Sequence, residues 1–215
     1  MGMKSMIGVY QWGDCANPAV YSKNHIDRMQ YIIDNFYREE SIGEYAEEIE
    51  GATPEVLEIL KKVDNKRIYN HLLTHFLSLT DSSFGFIGKI RIDEAGNKFL
   101  LTDAISNIAW DAASKAFFLE HALKGMEFKN PNSLFGHVIG SGELVISNDP
   151  KSDPKAGGTP GGHPPLKCFI GIPFFHDGNM IGMVGLANRS GGYQVADYEA
   201  LEDLIRFSAD TMHHY

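Results

Sequence analysis

The chain has 215 residues, 43% of them hydrophobic and 11% aromatic, which suits one ordinary domain with an extension and excludes a disordered chain. Its net charge of −9 argues against nucleic acid as a partner, because phosphate binding relies on basic patches. The two cysteines, Cys15 and Cys168, lie far apart; they form neither a disulfide framework nor a Cys/His metal spacing, and they fit a reducing cytoplasm.

Residues 1–23 carry the breakers Gly8, Gly13 and Pro18 and read as an irregular lead-in, with one short strand over 6–11. The opening Met1-Gly2-Met3 reads as an added leader or a cut domain boundary. It contains no secretory apolar segment, and no apolar run approaches the roughly 20 residues of a membrane span. Membrane insertion is therefore not expected. Ile26, Met29, Ile33 and Phe36 recur in steps of three and four, which predicts an amphipathic helix over 24–38. The acidic run EESIGEYAEEIE reads as a solvated helix or linker.

Thr53-Pro54-Glu55 is a helix start, with a capping threonine, a proline at the first helical position and an acid on the dipole. The helix is predicted to run to about Thr80, with Asp64-Asn65 as a place where it breaks in two. Lys61, Lys62, Lys66 and Arg67 read as its solvated face. The division expected is an extension over 1–52 and a folded domain over 53–215.

At Ser83 the period changes. SFGFIGKIRI and DEAGNKFLL read as strand, turn, strand, with Gly96 and Asn97 suited to positive φ in the turn. Residues 111–124 read as a helix capped by Asp111 and ended near Gly125. ELVISN is a short strand, and 148–165 form a long Gly/Pro loop. KCFIGIPFF and NMIGMVGLA are two more strands around His176-Asp177-Gly178. A last helix is predicted over 196–212, and His213-His214 reads as a chain end. Hairpins with flanking helices imply an α+β fold, an antiparallel sheet with helices mainly on one side.

The loop NDPKSDPKAGGTPGGHPPL is the anomaly. Loops this long inside a domain are usually functional or disordered. Its prolines fix φ and its glycines permit turns, so a folded flap across the sheet is expected.

The blocks DSSFGFIGKI, SNIAWD, NSLFGHVIGSGELVISNDPKSDPKAGGTPGGHPPLKCFIGIPF and IGMVGLANRSGGY resemble, in order, a GAF domain. The likeness is to the subfamily found in bacterial sensor histidine kinases and diguanylate cyclases, and it covers about residues 53–212. It implies a GAF-type, PAS-like six-stranded antiparallel sheet with helices mainly on one face and a pocket under mobile loops. Carried onto this chain, it nominates as ligand-binding Asn107 and Trp110, Phe135 and His137, Asp149, Asp153 and His163 of the flap, and Asn188 and Tyr193. It names no cofactor. The cyclic-nucleotide signature of the family is missing, and nothing beside Cys168 suggests bilin attachment. The methionine sulfoxide reductase branch uses clustered cysteines, whereas only Cys168 lies in this domain.

The residues themselves leave alternatives open. His163 has the chemistry to contact an anion or a metal, or to hold the flap shut on a loop carbonyl. Asp149 and Asp153 sit in Asp-Pro units, which suit turn capping better than paired catalysis. Trp110 is equally a stacking surface or core. Arg189 offers a carboxylate clamp or a surface turn. No GxSxG, SxxK, HExxH or phosphate loop occurs.

Three functions follow, in order. The first is a cytoplasmic, non-enzymatic sensor of an unidentified small molecule. Its terminal helices would form a homodimer and signal to an output kinase or cyclase domain, in cis or in trans. The second is a ligand-free dimerisation or scaffolding module. The third is an enzyme using a metal held by Asp149, Asp153 and His163.

Overall fold

A computed structural model describes residues 54–106, 125–158 and 163–215, with the backbone alone over 54–65. The expected strand over 6–11, the helices over 24–38 and 111–124, and the acidic run lie outside the described residues.

Helix α1 (Pro54–Thr80) is continuous. Asp64 and Asn65 are weak helix formers, but their propensity costs are below about 1 kcal/mol each, and packing further along overrides them. Ile68, Tyr69, Leu72, Leu73 and Phe76, spaced by one, three and four, are all buried. The helix stops because Asp81 adopts φ 51° and the Ser82 amide reaches back to the Leu77 carbonyl at 2.9 Å, a left-handed C-terminal cap.

β1 (Phe84–Ile92) and β2 (Lys98–Ile105) form the expected hairpin. The Asp93 carboxylate accepts the amides of Ala95 and Asn97 at 3.0 and 2.7 Å. Gly96 alone in that turn takes positive φ, 85°; Asn97 does not need to. A register shift at Ile87/Gly88 skips Asp103 on β2. Such a bulge re-aims the side chains that follow it. Leu100 accordingly packs with one core and Ala104 with the other.

The remaining elements are β3 (Glu127–Phe128), α2 (Leu134–Ser141), β4 (Val145–Ser147), β5 (Phe169–His176), β6 (Asn179–Ala187), α3 (Val195–Glu199) and α4 (Glu202–His214). The strands form one six-stranded sheet in the order β3-β2-β1-β6-β5-β4, every pairing antiparallel. Two elements differ from expectation. The last helix is broken at Ala200 and Leu201, and α2 occupies a stretch in which no helix was expected.

Helices α1 and α4 cover one face. Ile170, Ile172 and Phe174 alternate along β5 toward them, with Val184 and Leu186 beside them on β6. Phe76 stacks on Phe174 with ring centroids 6.0 Å apart. Met212 of α4 lies on Gly182, where any side chain would collide with it. His213 is more than a chain end: it stacks on His176 with centroids 3.6 Å apart, and Asp210 and Asp177 lie 3.9 and 3.6 Å from the His176 ring nitrogens. The other face carries α2 and a second core of Leu100, Leu134, Val138, Phe169 and Met183.

Candidate functional site

The flap leaves β4 at Asn148, whose side chain bonds the Tyr193 backbone twice. Its Nδ2 donates to the Tyr193 carbonyl at 2.9 Å, and its Oδ1 accepts the Tyr193 amide at 2.8 Å. Gly192 (φ 79°) presses against this amide and leaves no room for a side chain. Tyr193 is buried, and its hydroxyl lies 2.6 Å from Ser82 Oγ, itself 2.6 Å from Thr80 Oγ1. Burial pushes the phenol well above the usual tyrosine range. At the far end of the flap, Asn188 adopts φ 61°, a conformation asparagine tolerates better than most residues. Its Oδ1 accepts the Lys167 amide at 2.7 Å, and its Nδ2 donates to the Pro165 carbonyl at 2.8 Å. Ser83 Oγ donates to the Asn188 carbonyl at 2.9 Å. The polar atoms of Asn188 and Tyr193 are thus bonded to the loops they join.

Within the flap, the Asp149 carbonyl accepts the amides of Ser152 and Asp153, both at 3.1 Å, while the Asp149 side chain is exposed. The Asp153 carboxylate accepts the Lys155 amide at 2.9 Å, and hydrogen bonding holds this carboxyl below the usual carboxylate range. His163 Nδ1 donates to the Pro164 carbonyl at 2.7 Å, and its ring meets Phe84 edge-on at 5.8 Å. Among the described residues no group of three or more His, Cys, Asp or Glu is placed to hold a metal.

Helix α2 lies over the sheet face opposite α1 and α4. Ser133 caps it, accepting the Gly136 amide at 3.0 Å and donating to the Asn130 carbonyl at 2.7 Å, the standard device for orphan N–H groups. Phe135 is half-buried in an aromatic group with Phe128 at 5.0 Å and Phe86 at 6.5 Å; Phe86 and Phe128 meet edge-on at 4.7 Å. His137 faces solvent. Asn107 and Trp110 lie outside the described residues.

Beside this aromatic group is an open cleft of about 670 Å³, between the β1–β2 turn, the segment leading from β3 to α2, and the α2 backbone. Phe99, Phe128, Pro131 and Ile139 are its apolar lining residues, and Asp93, Asn97, Lys98, Lys129 and Asn130 its polar ones. Gly136 and Gly140, one helical turn apart, bare the helix toward it. A side chain at Gly140 would meet nothing within 4 Å, whereas one at Gly136 would strike the Asn130 and Pro131 carbonyls. A smaller hollow of about 360 Å³ lies on the other side, between Phe175, Leu144 and α4.

The structure therefore divides the nominated residues. Asn188, Tyr193 and His163 bond the flap to its supports, and Phe135 joins the aromatic wall near the cleft. The cleft lining itself was not nominated. Its legible signal was the pair of glycines four apart in LFGHVIGS, next to the Gly96 turn.

A family model described as GAF domain matches residues 63–213. Several solved structures are similar. One is the GAF domain of a phosphoenolpyruvate-protein phosphotransferase from Coxiella burnetii, with TM-score 0.55, 15% identity, and 73% of this chain and 89% of that one covered. Another is a GAF domain/HD domain protein from Geobacter sulfurreducens, with TM-score 0.52, 15% identity, and coverage of 73% and 99%. A third is a type II free methionine-R-sulfoxide reductase from Thermoplasma acidophilum, with TM-score 0.52, 15% identity, and coverage of 72% and 96%. At such identity these likenesses establish the shared fold. No curated protein matches the chain.

Proposed function

From the premise that this chain belongs to the GAF domain family, with the family model spanning residues 63–213, we propose that it is a regulatory domain that senses a small molecule. The observation that carries the reading is the open cleft of about 670 Å³ on the α2 face. Small-molecule sites typically have volumes of about 300–1,000 Å³, and this cleft falls in that range, with Phe99, Phe128, Pro131 and Ile139 set beside the polar Asp93, Asn97, Lys98, Lys129 and Asn130. A ligand seated there would touch α2 and the hairpin turn. It would bias a population of arrangements only as far as it binds one of them better.

The natural setting is the input module of a bacterial signalling protein, of the two-component or cyclic-di-GMP kind, in the cytoplasm. No helix among the described residues is long and apolar enough to cross a membrane. Helices α1 and α4 would pair between two copies and pass the signal to a kinase or cyclase domain, in cis or in trans. An enzymatic reading borrows from the reductase that shares the fold, but Cys168 is buried with its thiol donating to the Arg189 carbonyl at 3.4 Å, a poor position for redox chemistry, which favours exposed thiolates. A ligand-free dimerisation module is the second reading. It draws on the exposed apolar side chains of Phe175, Val195 and Tyr215.

The test is a thermal-shift screen of a metabolite library on the full chain and on Gly140→Trp, which fills the cleft. Sensing predicts compounds that raise the melting temperature of the wild type and not of the variant. A library without any effect on the wild type, together with a dimer in light scattering, would favour the second reading.

A further inference from the structure

A line of direct contacts runs from the α2 face of the sheet to the end of α1. It starts at Asn130, which lines the cleft. Asn130 Oδ1 accepts the Asn132 amide at 3.0 Å and so fixes the turn ahead of α2. The flap rests on that turn at Gly157, where any side chain would collide with the Asn132 carbonyl. Its neighbour Ala156 packs against the second core. At its near root the flap holds Tyr193, because the Asn148 side chain bonds the Tyr193 amide and carbonyl.

Beyond Tyr193 the order of donors follows by elimination. Thr80 Oγ1 gives its one proton to the Phe76 carbonyl at 2.7 Å, so it accepts at its 2.6 Å contact with Ser82 Oγ. Ser82 then has no second proton and accepts the phenol of Tyr193 at 2.6 Å. Thr80 is the last residue of α1, and the Ser82 amide caps that helix on the Leu77 carbonyl. Tyr193 and Thr80 are buried, and hydrogen bonds are stronger where water is excluded. A second tie leaves the far root of the flap: Asn188 holds Lys167 and Pro165, and its carbonyl accepts Ser83 Oγ. That last bond is exposed, so water competes for it, and Ser83 lies beyond α1.

We propose that Tyr193 is the joint that couples the flap to α1: displacing the flap from the turn ahead of α2 loosens the last turn of α1 through the Tyr193 hydroxyl. The direction, from cleft to helix, rests on the reading of the cleft as the sensory site. The coupling itself needs no ligand, so its failure leaves that reading standing. Two positions are coupled when their changes do not add.

The experiment is native-state hydrogen exchange on the full chain, with and without Gly157→Ala, in the wild type, Tyr193→Phe and Ser83→Ala. Tyr193→Phe removes one donor and leaves no other donor unpaired, so the fold is retained. Gly157→Ala is expected to speed exchange of the Leu79, Thr80 and Ser82 amides at least about fivefold relative to the β5–β6 ladder, the lower end of ordinary coupling between sites. The same acceleration appears in Ser83→Ala and is absent in Tyr193→Phe. Asn148→Ala, which releases the flap at its other end, gives the same pattern and takes the place of Gly157→Ala where that variant does not fold. No acceleration in α1 beyond that of the ladder, or an equal acceleration in Tyr193→Phe, would overturn the joint. Acceleration lost in Ser83→Ala and kept in Tyr193→Phe would overturn it in favour of the exposed tie.

Discussion

The two faces of the sheet are built differently. Toward α1 and α4, strands β5 and β6 present Ile170, Ile172, Phe174, Val184 and Leu186, all fully buried. Toward α2 the same strands present Phe169, Met183, Gly171 and Gly185, and the space a side chain would take at the two glycines is filled by Val138 and Phe169 at Gly171 and by Phe86 and Phe169 at Gly185. Phe169 is buried, whereas Phe86, Phe128 and Phe135 remain half-buried. One face is thus closed by interdigitating aliphatic groups, and the other keeps accessible aromatic surface beside a cleft.

The sharpest way to break this comparison is to truncate one phenylalanine on each side. Phe174→Ala removes a fully buried ring stacked on Phe76, and such changes cost about 3–5 kcal/mol. Phe135→Ala removes a half-buried ring and should cost about half as much. Urea denaturation of both variants measures the difference; equal losses would mean that the α2 face is as well packed as the helical one.

How much of this was legible follows from the same physics. Hairpin β1–β2, strands β5 and β6, and the long helix were readable because each carries a sustained period. β3 was not, since two residues have no period to read, and yet Glu127 and Phe128 complete the sheet. Helix α2 was hidden because LFGHVIGS is eight residues long with two glycines, a pattern that propensity alone assigns to a loop; Ser133 and tertiary packing rescue it. Turn chemistry at Asp153 in the flap was legible from its Asp-Pro unit, and its carboxylate accepts the Lys155 amide. The partners at the flap's root were not, because Asn148 and Tyr193 stand 45 positions apart and nothing local joins them.

That junction provides the second test. Asn148→Ala leaves the Tyr193 amide and carbonyl without their partners, a loss of about 1–3 kcal/mol. Hydrogen exchange should show faster opening of the flap roots, with the β5–β6 ladder unchanged. A uniform loss of protection would mean that the flap is part of the core rather than a separate covering.

The closed face also contains a weakness. The bulge places Asp103 near Tyr69, Lys66 and Lys89, and both Asp103 Oδ2 and the Tyr69 hydroxyl are buried without a hydrogen-bond partner. Burial pushes the Asp103 carboxyl up despite the nearby lysines. A raised carboxyl holds its proton more tightly in the folded state, so its ionised form costs stability above the raised value, and the cost fades as pH falls toward 3.8. Asp103→Asn should therefore stabilise the protein by about 1 kcal/mol at pH 7, with the gain shrinking in acid. A gain that is constant with pH would point to packing instead of charge.

The smallest effect separates the cleft from the core most cleanly. Gly140 sits in the second half of α2 with empty space where a side chain would stand. In a helix, alanine is favoured over glycine by about 0.5–1 kcal/mol because it loses less backbone freedom on folding. Gly140→Ala should then raise the melting temperature slightly. Gly136→Ala, one turn earlier, should lower it, because its side chain would strike the carbonyls of Asn130 and Pro131. Opposite signs from the same substitution at two positions four apart would locate the cleft wall on α2. Two gains would mean that the segment ahead of α2 yields, and two losses that the space beside Gly140 is closed in solution.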